Sequence, residues 1–357
     1  MSIEMQAQQL AQQLQRPHLA ALVPYASARR SMSGGSIWLN ANEAPDGELN
    51  RYPSFQPAAM LEAYARYAKV AAQQVLTARG SDEVIDVLIR TFCEPGQDKI
   101  MICPPTYGMY AISAQTHGAE VVTVPLLPDL TLALDDIAAQ LKRVKLIFLC
   151  HPSNPLGNPL PSAQIEAVLQ AAENRALVVV DEAYIEYAQA AGIESTAAWL
   201  TRYPNLVVLR TLSKAFGLAA IRCGFALANE AIIQTLQKVL APYPVPLLTE
   251  QTATQQLAPA ALQTVQQRVM RTTQLREALI ATLQAQTWVT RVFPSVTNFV
   301  LCQVDDAAKR VAWFQRQGIL IRNQSAQLNL PQSIRISIGS AAEMAAVAEL
   351  LAQEMPA

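Results

Sequence analysis

The sequence has no cluster of basic residues, and its charged residues make up only 15% of the chain. Lysine and arginine number 27 against 28 aspartate and glutamate in 357 residues, which gives a net charge of -1. This balance argues against nucleic acid or an anionic membrane as a partner, because both attract proteins through basic surfaces. We therefore expect a small-molecule partner.

The sequence also lacks paired cysteines and long apolar runs. Its five cysteines are scattered, odd in number and without a CxxC pair, so neither a disulfide framework nor a metal site is predicted. The longest apolar stretch, around VLAPYPVPLL, is broken by three prolines and is too short to cross a bilayer. The first residues, MSIEMQAQQLAQQLQRPHLA, have neither the basic start nor the apolar centre of a signal peptide, so we expect a cytoplasmic chain.

Short β-branched runs alternate with helix-period segments between about residues 75 and 250. The runs KIMIC, EVVTV, KLIFLC, ALVVVD, LVVLR and RCGFALA show little polar alternation, which is typical of strands buried on both faces. Helical segments separate several of these runs. The pattern predicts an α/β layer with mostly parallel strands.

A second, smaller α/β domain is expected after residue 250. At 357 residues the chain exceeds the size at which a single core stops growing. Beyond residue 250 a helical stretch over 258–286 precedes the strands VTNFVLCQV, GILIRN and SIRISIGS and a final helix. We predict an N-terminal arm with part of the small domain at 1–44, a large cofactor-binding domain at 45–250 and a small C-terminal domain at 251–357.

Polar side chains follow three of the predicted strands. Asn154 comes after KLIFLC, Asp181 and Tyr184 come after ALVVV, and Lys214 comes after LVVLR. In open α/β sheets ligands bind beyond the carboxyl ends of the strands, so we expect these side chains to share one crevice. A turn at Gly80 also opens a helix, and the free N–H groups at a helix start suit a phosphate.

Pyridoxal phosphate is a cofactor that requires these groups together. It needs a lysine for the covalent link to its aldehyde, a carboxylate for its pyridine nitrogen, donors to its phenolate oxygen and a cup for its phosphate. Lys214 can supply the covalent link, and Asp181 can supply the carboxylate. Tyr184 and Asn154 can donate to the phenolate oxygen. The residues that can form the phosphate cup are Ser81, Thr211, Ser213 and Arg222.

Each of these residues also has a simpler interpretation. Lys214 can be a surface charge, as most lysines are. Asp181 can be a helix cap or the partner of Arg222 in a buried ion pair. Tyr184 and Tyr107 can be packing residues, and HPSNPLGN can be an ordinary turn. The occurrence of all of them after successive strands of one sheet favours the cofactor site.

The motifs GSDEVID, PPTYGMY, HPSNPLGN, VVVDEAY, TLSKAFGLAAIRCGF and IRISIGS occur in this order. Together they resemble the fold-type I aminotransferases, which depend on pyridoxal phosphate, over nearly the whole chain. The resemblance implies a large domain with a mostly parallel central sheet sandwiched by helices, a smaller α/β domain, and a homodimer with shared active sites. Within this family, LNANEAP, RYP and VPYASARR are similar to segments of the histidinol-phosphate aminotransferases of histidine biosynthesis.

The resemblance implies a role for each matching residue in the cofactor site. Lys214 links to the cofactor and moves the proton at the substrate α-carbon, and Asp181 pairs with the pyridine nitrogen. Tyr184 and Asn154 hold the phenolate oxygen, while Tyr107 stacks on the ring. The residues implied for the cofactor phosphate are Ser81, Asp82 through its backbone N–H, Thr211, Ser213, Arg222 and, across a subunit boundary, Tyr52.

Two arginines of the small domain are implied for the substrates. Arg335 would take the carboxylate of glutamate, and Arg322 would meet the phosphate of histidinol phosphate. Tyr25 and Asn42 are also assigned to the substrate pocket by the resemblance. From the residues alone, Arg335 can equally lie on the polar face of a half-exposed strand, and Arg322 can be a loop charge.

The resemblance implies a transamination that interconverts L-histidinol phosphate and imidazole-acetol phosphate while it interconverts 2-oxoglutarate and glutamate. Two alternatives keep the same cofactor groups: an aromatic or broad-specificity aminotransferase, and a decarboxylase of the same fold that acts on a phosphorylated amino acid. A ligand-binding half of a transcription regulator is disfavoured by the missing DNA-binding domain and the neutral charge.

Overall fold

The apolar runs in the middle of the chain form one large sheet in the computed structural model, which describes residues 1–23 and 37–353. Within these residues the sheet has seven strands in the order β1-β7-β6-β5-β4-β2-β3. The neighbours from β3 through β6 are parallel, whereas β7 is antiparallel to both β6 and β1. The strands are β1 (Val75–Ala78), β2 (Lys99–Ile102), β3 (Glu120–Thr123), β4 (Val144–Cys150), β5 (Leu177–Asp181), β6 (Leu206–Thr211) and β7 (Gly224–Ala228).

Helices cover both faces of this sheet, as the lack of polar alternation predicts. Along β5, Val178 and Val180 pack into one apolar core while Leu177 and Val179 pack into another on the opposite face. The helices up to residue 256 are α1 (Ile3–Leu14), α2 (Ala58–Ala68), α3 (Ser81–Phe92), α4 (Met109–His117), α5 (Leu134–Ala139), α6 (Ser162–Ala171), α7 (Ile185–Gln189), α8 (Glu230–Gln237) and α9 (Leu247–Gln256).

A smaller sheet follows a 26-residue helix. A helix and strands were predicted after residue 250, whereas the antiparallel pairing of these strands was not. The strands of this sheet run in the order β10-β11-β9-β8, and its apolar core includes Val300, Cys302 and Ile334. The elements of this part are α10 (Pro259–Gln284), β8 (Val289–Val292), β9 (Phe299–Val304), α11 (Ala307–Arg316), β10 (Arg322–Asn323), β11 (Ser333–Ser337) and α12 (Ala341–Leu351). The α/β architecture expected from the sequence is confirmed.

Two short strands were not predicted from the sequence. The strands are β1 and β8, of four residues each. Helix α1 packs against α8, and its Leu10 and Leu14 join one of the two cores of the large sheet. The predicted boundaries at residues 44 and 250 stay a prediction. No helix of the described chain is long and apolar enough to cross a membrane.

Candidate active site

The carboxyl ends of β4, β5 and β6 and the start of α3 surround one cavity. Every cofactor residue predicted from the sequence except Tyr52 contributes to its lining, although their roles stay predictions. The lining residues are Ser81, Asp82, Tyr107, Cys150, Asn154, Asp181, Ala183, Tyr184, Thr211, Ser213, Lys214, Ala219 and Arg222. The convergence expected for a parallel sheet therefore brings these side chains together.

Asp181 is the last residue of β5 and is only 3% exposed. Its Oδ2 accepts a hydrogen bond from the Tyr110 hydroxyl at 2.7 Å, and its Oδ1 accepts one from the Ala183 N–H at 3.1 Å. Burial raises the pKa of this carboxyl to about 6, and the two hydrogen bonds oppose the rise. Arg222 instead pairs with a different acid, since its Nη2 lies 3.5 Å from Asp82 Oδ2, so the structure does not support an Asp181–Arg222 ion pair.

Lys214 lies half-buried on the loop after β6, with its Nζ 5.5 Å from the centre of the Tyr184 ring. The loop is fixed because the Gly217 N–H donates to the Lys214 carbonyl at 2.9 Å and Arg268 Nη1 donates to the Ala215 carbonyl at 2.8 Å. Burial lowers the pKa of the Lys214 amine, and Asp181 opposes this shift. The lysine is thus held in the cavity rather than extended into solvent.

A polar chain connects the two sheets at the edge of the cavity. Asn154 Nδ2 donates to the Tyr184 hydroxyl at 3.3 Å, and Arg335 Nη1 donates to Asn154 Oδ1. The Arg335 guanidinium lies 5.1 Å from the centre of the Phe299 ring. Burial lowers the pKa of Arg335. Arg335 therefore faces the cavity edge instead of the solvent.

The start of α3 is open at the other end of the cavity. No side chain caps this helix, and its N-cap residue is Gly80, with φ +83°. A Cβ on Gly224 of β7 would lie 2.3 Å from the Gly80 carbonyl carbon and 2.3 Å from the Ser81 nitrogen. Only a glycine at this position lets β7 come so close to the helix start, which brings Arg222 beside it.

These residues fit pyridoxal phosphate. One end of the cavity gathers N–H, hydroxyl and guanidinium donors at a helix start, and such a set suits a phosphate. The same cavity holds a buried carboxylate, Asp181, that suits a protonated pyridine nitrogen, and the Lys214 amine also lines it. The donor set thus matches an elongated ligand that is anionic at one end and cationic at the other.

Besides Arg335 at the cavity edge, four predicted residues lie apart from this lining or outside the described chain. Tyr52 is 48% exposed and stacks on Tyr243, with ring centroids 4.5 Å apart. Asn42 is exposed, with φ +55°. Arg322 is exposed on β10, where it pairs in register with Arg335. Tyr25 lies outside the described residues.

Sequence reasoning missed several polar groups near the cavity. Tyr110 and Cys150 were given no role, yet Tyr110 bonds Asp181 and the Cys150 sulfur accepts the Asn154 N–H at 3.3 Å. Glu182 and Arg210 were also missed, and they form a buried ion pair at 2.8 Å directly behind Asp181. A charged residue inside an otherwise apolar strand, such as Arg210 in LVVLR, was the available signal.

Comparison with known proteins decides the family. Residues 33–351 match the model of aminotransferase class I and II. The chain belongs to this family of aminotransferases. A relative of this aminotransferase, histidinol-phosphate aminotransferase 2 of Idiomarina loihiensis, is 55% identical over 94% of this chain and 96% of its own length. Histidinol-phosphate aminotransferase of Yersinia enterocolitica is 48% identical over 95% of this chain and 92% of its own.

A solved structure shares the aminotransferase fold. It is histidinol-phosphate aminotransferase from Sinorhizobium meliloti in complex with pyridoxal-5'-phosphate, with a TM-score of 0.77 and 26% identity. The similarity covers 85% of this chain and 84% of that one. The predicted fold-type I architecture of this aminotransferase is thereby confirmed.

Proposed function

We propose that this aminotransferase transfers an amino group between L-histidinol phosphate and 2-oxoglutarate, and in reverse from glutamate to imidazole-acetol phosphate, in histidine biosynthesis. The observation that supports this function most directly is the 55% identity, over 94% of the chain, to a relative named for this activity. The cavity supplies a group for each chemical requirement of such a reaction.

Pyridoxal phosphate, held through the cavity residues described above, would supply an electron sink for the electron pair left at the substrate α-carbon when its proton departs. The Lys214 Nζ is the group that removes and returns this proton. A general base works best when its pKa lies near the operating pH, and burial lowers the pKa of Lys214 toward that range. The fixed loop holds the amine at one place in the cavity.

Asp181 keeps a negative charge at the closed end of the cavity. A carboxylate buried there stabilises a proton on a pyridine nitrogen, because little solvent screens the two charges. Arg335, Asn154 and Tyr184 are linked by hydrogen bonds at the edge of the cavity. There, Asn154 and Tyr184 would hold the phenolate oxygen of the cofactor.

Arg335 is the residue that we propose for the substrate carboxylate. Its planar guanidinium suits a carboxylate in a bidentate geometry, and it already lies against Asn154 at the cavity edge. Arg322 is its cross-strand neighbour and would take the phosphate of histidinol phosphate. The two cations together suit two anionic substrates of different length. The roles of Asn42 and Tyr25 at this pocket stay predictions.

A homodimer with shared active sites is part of this proposal. Tyr52 is half-exposed and stacked on Tyr243, so an aromatic pair is presented on the surface of a single subunit. We propose that Tyr52 reaches the cofactor phosphate of the neighbouring subunit. The cytoplasmic location stays a prediction.

A visible absorption titration tests the proposed function. Purified protein loaded with pyridoxal phosphate is titrated with L-histidinol phosphate, glutamate and phenylalanine. We expect the first two to convert the band of the lysine-bound cofactor to that of the aminated cofactor, and phenylalanine to do so poorly. Equal conversion by phenylalanine would favour a broad aminotransferase, and release of carbon dioxide would favour a decarboxylase.

Lys214→Ala tests the central residue. We expect the variant to lose turnover while it still binds the cofactor through the phosphate-binding end of the cavity. Arg268→Met, which weakens the support of the loop but keeps the amine, is the matched control and should retain the lysine-bound absorption band. Normal turnover in Lys214→Ala would contradict the assignment.

A further inference from the structure

The Tyr110 hydroxyl is held against Asp181 by the packing of aromatic rings on its own ring. Tyr110 is fully buried on α4, at 0% exposure. Its ring stacks on Phe148 with centroids 4.8 Å apart and meets Tyr107 edge-on at 5.6 Å. A buried ring in contact with two aromatic neighbours has little freedom, so the Tyr110 hydroxyl is held where it donates to Asp181 Oδ2 at 2.7 Å.

The hydrogen bonds leave part of the Asp181 carboxylate available. Tyr110 donates to Oδ2 and the Ala183 N–H donates to Oδ1. A carboxylate has about four acceptor positions, so each oxygen keeps one for a further donor. The two donors come from different elements, α4 and the turn after β5, and together they fix the plane of the carboxylate.

The electrostatics of the pair favour one proton arrangement. Burial raises the pKa of Tyr110 well above its ordinary value, so its hydroxyl stays protonated and donates. Burial also raises the pKa of Asp181, and the Tyr110 hydrogen bond acts against that rise. The titratable groups that interact with Asp181 are Asp82, Tyr107, Tyr110, Cys150, Tyr184 and Lys214.

We propose that Tyr110 is a positioning residue for Asp181, holding its carboxylate charged and in one orientation toward the ligand cavity. The importance of this role for catalysis rests on the proposed function, in which Asp181 pairs with the cofactor. The contact itself does not rest on it, because it is present between two side chains of the protein alone.

The first test follows Asp181 in the cofactor-free protein. Aspartate labelled with ¹³C at the side-chain carboxyl is titrated by NMR, and the Asp181 signal is assigned by its loss in Asp181→Asn. We expect Tyr110→Phe to move the Asp181 midpoint upward by about one pH unit, because a hydrogen bond to a charged group is lost. An unchanged midpoint would overturn the proposal.

Tyr64→Phe is the matched control. Tyr64 is also fully buried and stacked on a phenylalanine, Phe225, and its hydroxyl has no hydrogen-bond partner within residues 1–23 and 37–353. The loss of the Tyr64 hydroxyl in this variant should leave the titration midpoint of Asp181 unchanged. Equal shifts in both variants would attribute the effect to general loosening of the core and refute a specific role of Tyr110.

A double-mutant cycle measures the role toward the cofactor. Affinity for pyridoxal phosphate is measured by fluorescence in the wild type, Tyr110→Phe, Asp181→Asn and the double variant. We expect Tyr110→Phe to weaken binding severalfold only where Asp181 is present. If Tyr110→Phe weakened cofactor binding equally in the wild type and in Asp181→Asn, the result would refute action through Asp181. No loss in Asp181→Asn would instead refute the proposed function of Asp181, while the NMR titration would still decide the role of Tyr110.

Discussion

Substitution of Arg210 by methionine tests the buried ion pair behind the cavity. Arg210 lies in β6 and is 3% exposed. Its Nε donates to Glu182 Oε2 at 2.8 Å, its Nη2 donates to Ser195 Oγ at 2.7 Å, and its Nη1 lies 3.7 Å from Glu186 Oε1. Methionine keeps a long apolar stem at this position but removes the positive charge and the donors.

The expected loss is large because two carboxylates depend on one cation. Glu182 is 0% exposed and Glu186 is 8% exposed. Removal of one partner from a buried ion pair costs ~3–5 kcal/mol. Glu182 keeps donors from Ser195 and Thr196, whereas Glu186 Oε2 has no hydrogen-bond partner among the residues described. We therefore expect Arg210→Met to lower the free energy of unfolding by ~3–5 kcal/mol. Glu186 is the carboxylate that this substitution leaves least compensated.

The stability that Arg210→Met loses should also depend on pH. Burial raises the pKa of Glu186 in the folded protein, and Arg210 opposes this rise. Without Arg210 the folded pKa rises further above the unfolded value of about 4.3. A carboxyl that binds its proton more tightly when folded destabilises the fold as pH rises between the two pKa values. The deficit of the variant should therefore be smaller at pH 5 than at pH 8.

Urea unfolding followed by circular dichroism measures both effects. Arg202→Met is the control, because Arg202 forms an exposed ion pair with Glu166 at 2.8 Å, and such pairs contribute ~0–1 kcal/mol. If Arg210→Met loses no more stability than Arg202→Met at pH 8, the buried pair contributes no net stability. A deficit that grows as the pH falls to 5 would contradict the argument from Glu186.

Two further substitutions and one labelling experiment test the cavity walls. Gly224→Ala would place a Cβ 2.3 Å from the Gly80 carbonyl carbon and the Ser81 nitrogen, so we expect a loss of at least about 2 kcal/mol of stability and weaker cofactor binding. A wild-type urea midpoint would refute the close approach. Arg268→Met should cost about 1 kcal/mol through the lost bond to the Ala215 carbonyl, and unchanged unfolding would count against that contact. Burial lowers the pKa of Lys214, so a larger share of this amine should be uncharged and reactive at pH 8. In cofactor-free protein, an amine-selective label should therefore modify Lys214 faster than exposed lysines when the rates, read by mass spectrometry, are divided by the accessibility of each amine. A slower rate would contradict the lowered pKa.

The large sheet was predictable because its signal is local. A strand buried on both faces is apolar at nearly every position, and β4 to β7 meet that condition apart from Lys145, Asp181, Arg210 and Thr211. The strands β1 and β8 carry weaker signals, since each has four residues and β8 is largely open to solvent. The place of β1 is decided by pairing with β7, which lies far along the chain, whereas β8 pairs with the next strand, β9.

The cavity residues were predictable from their position at strand ends, but the groups that support them were not. Asp181 ends β5, and Asn154 and Lys214 lie within four residues of the ends of β4 and β6, so the topology alone brings them to one edge. Tyr110 is 71 residues from Asp181 in sequence, and nothing in the motif PPTYGMY distinguishes its second tyrosine as a donor from a packing residue.

Glu182 and Arg210 show why a motif does not reveal what each of its residues does. Asp181 and Glu182 are neighbours at the end of β5, and successive side chains of an extended segment point to opposite sides. Asp181 therefore lines the cavity, while Glu182 turns away to meet Arg210, which comes from the adjacent strand β6. The sequence shows two acids side by side, but only the pairing of β5 with β6 shows that one has a buried cation as its partner and the other remains available to a ligand. The difference in function between these two adjacent carboxylates thus follows from strand geometry and from the position of a single arginine.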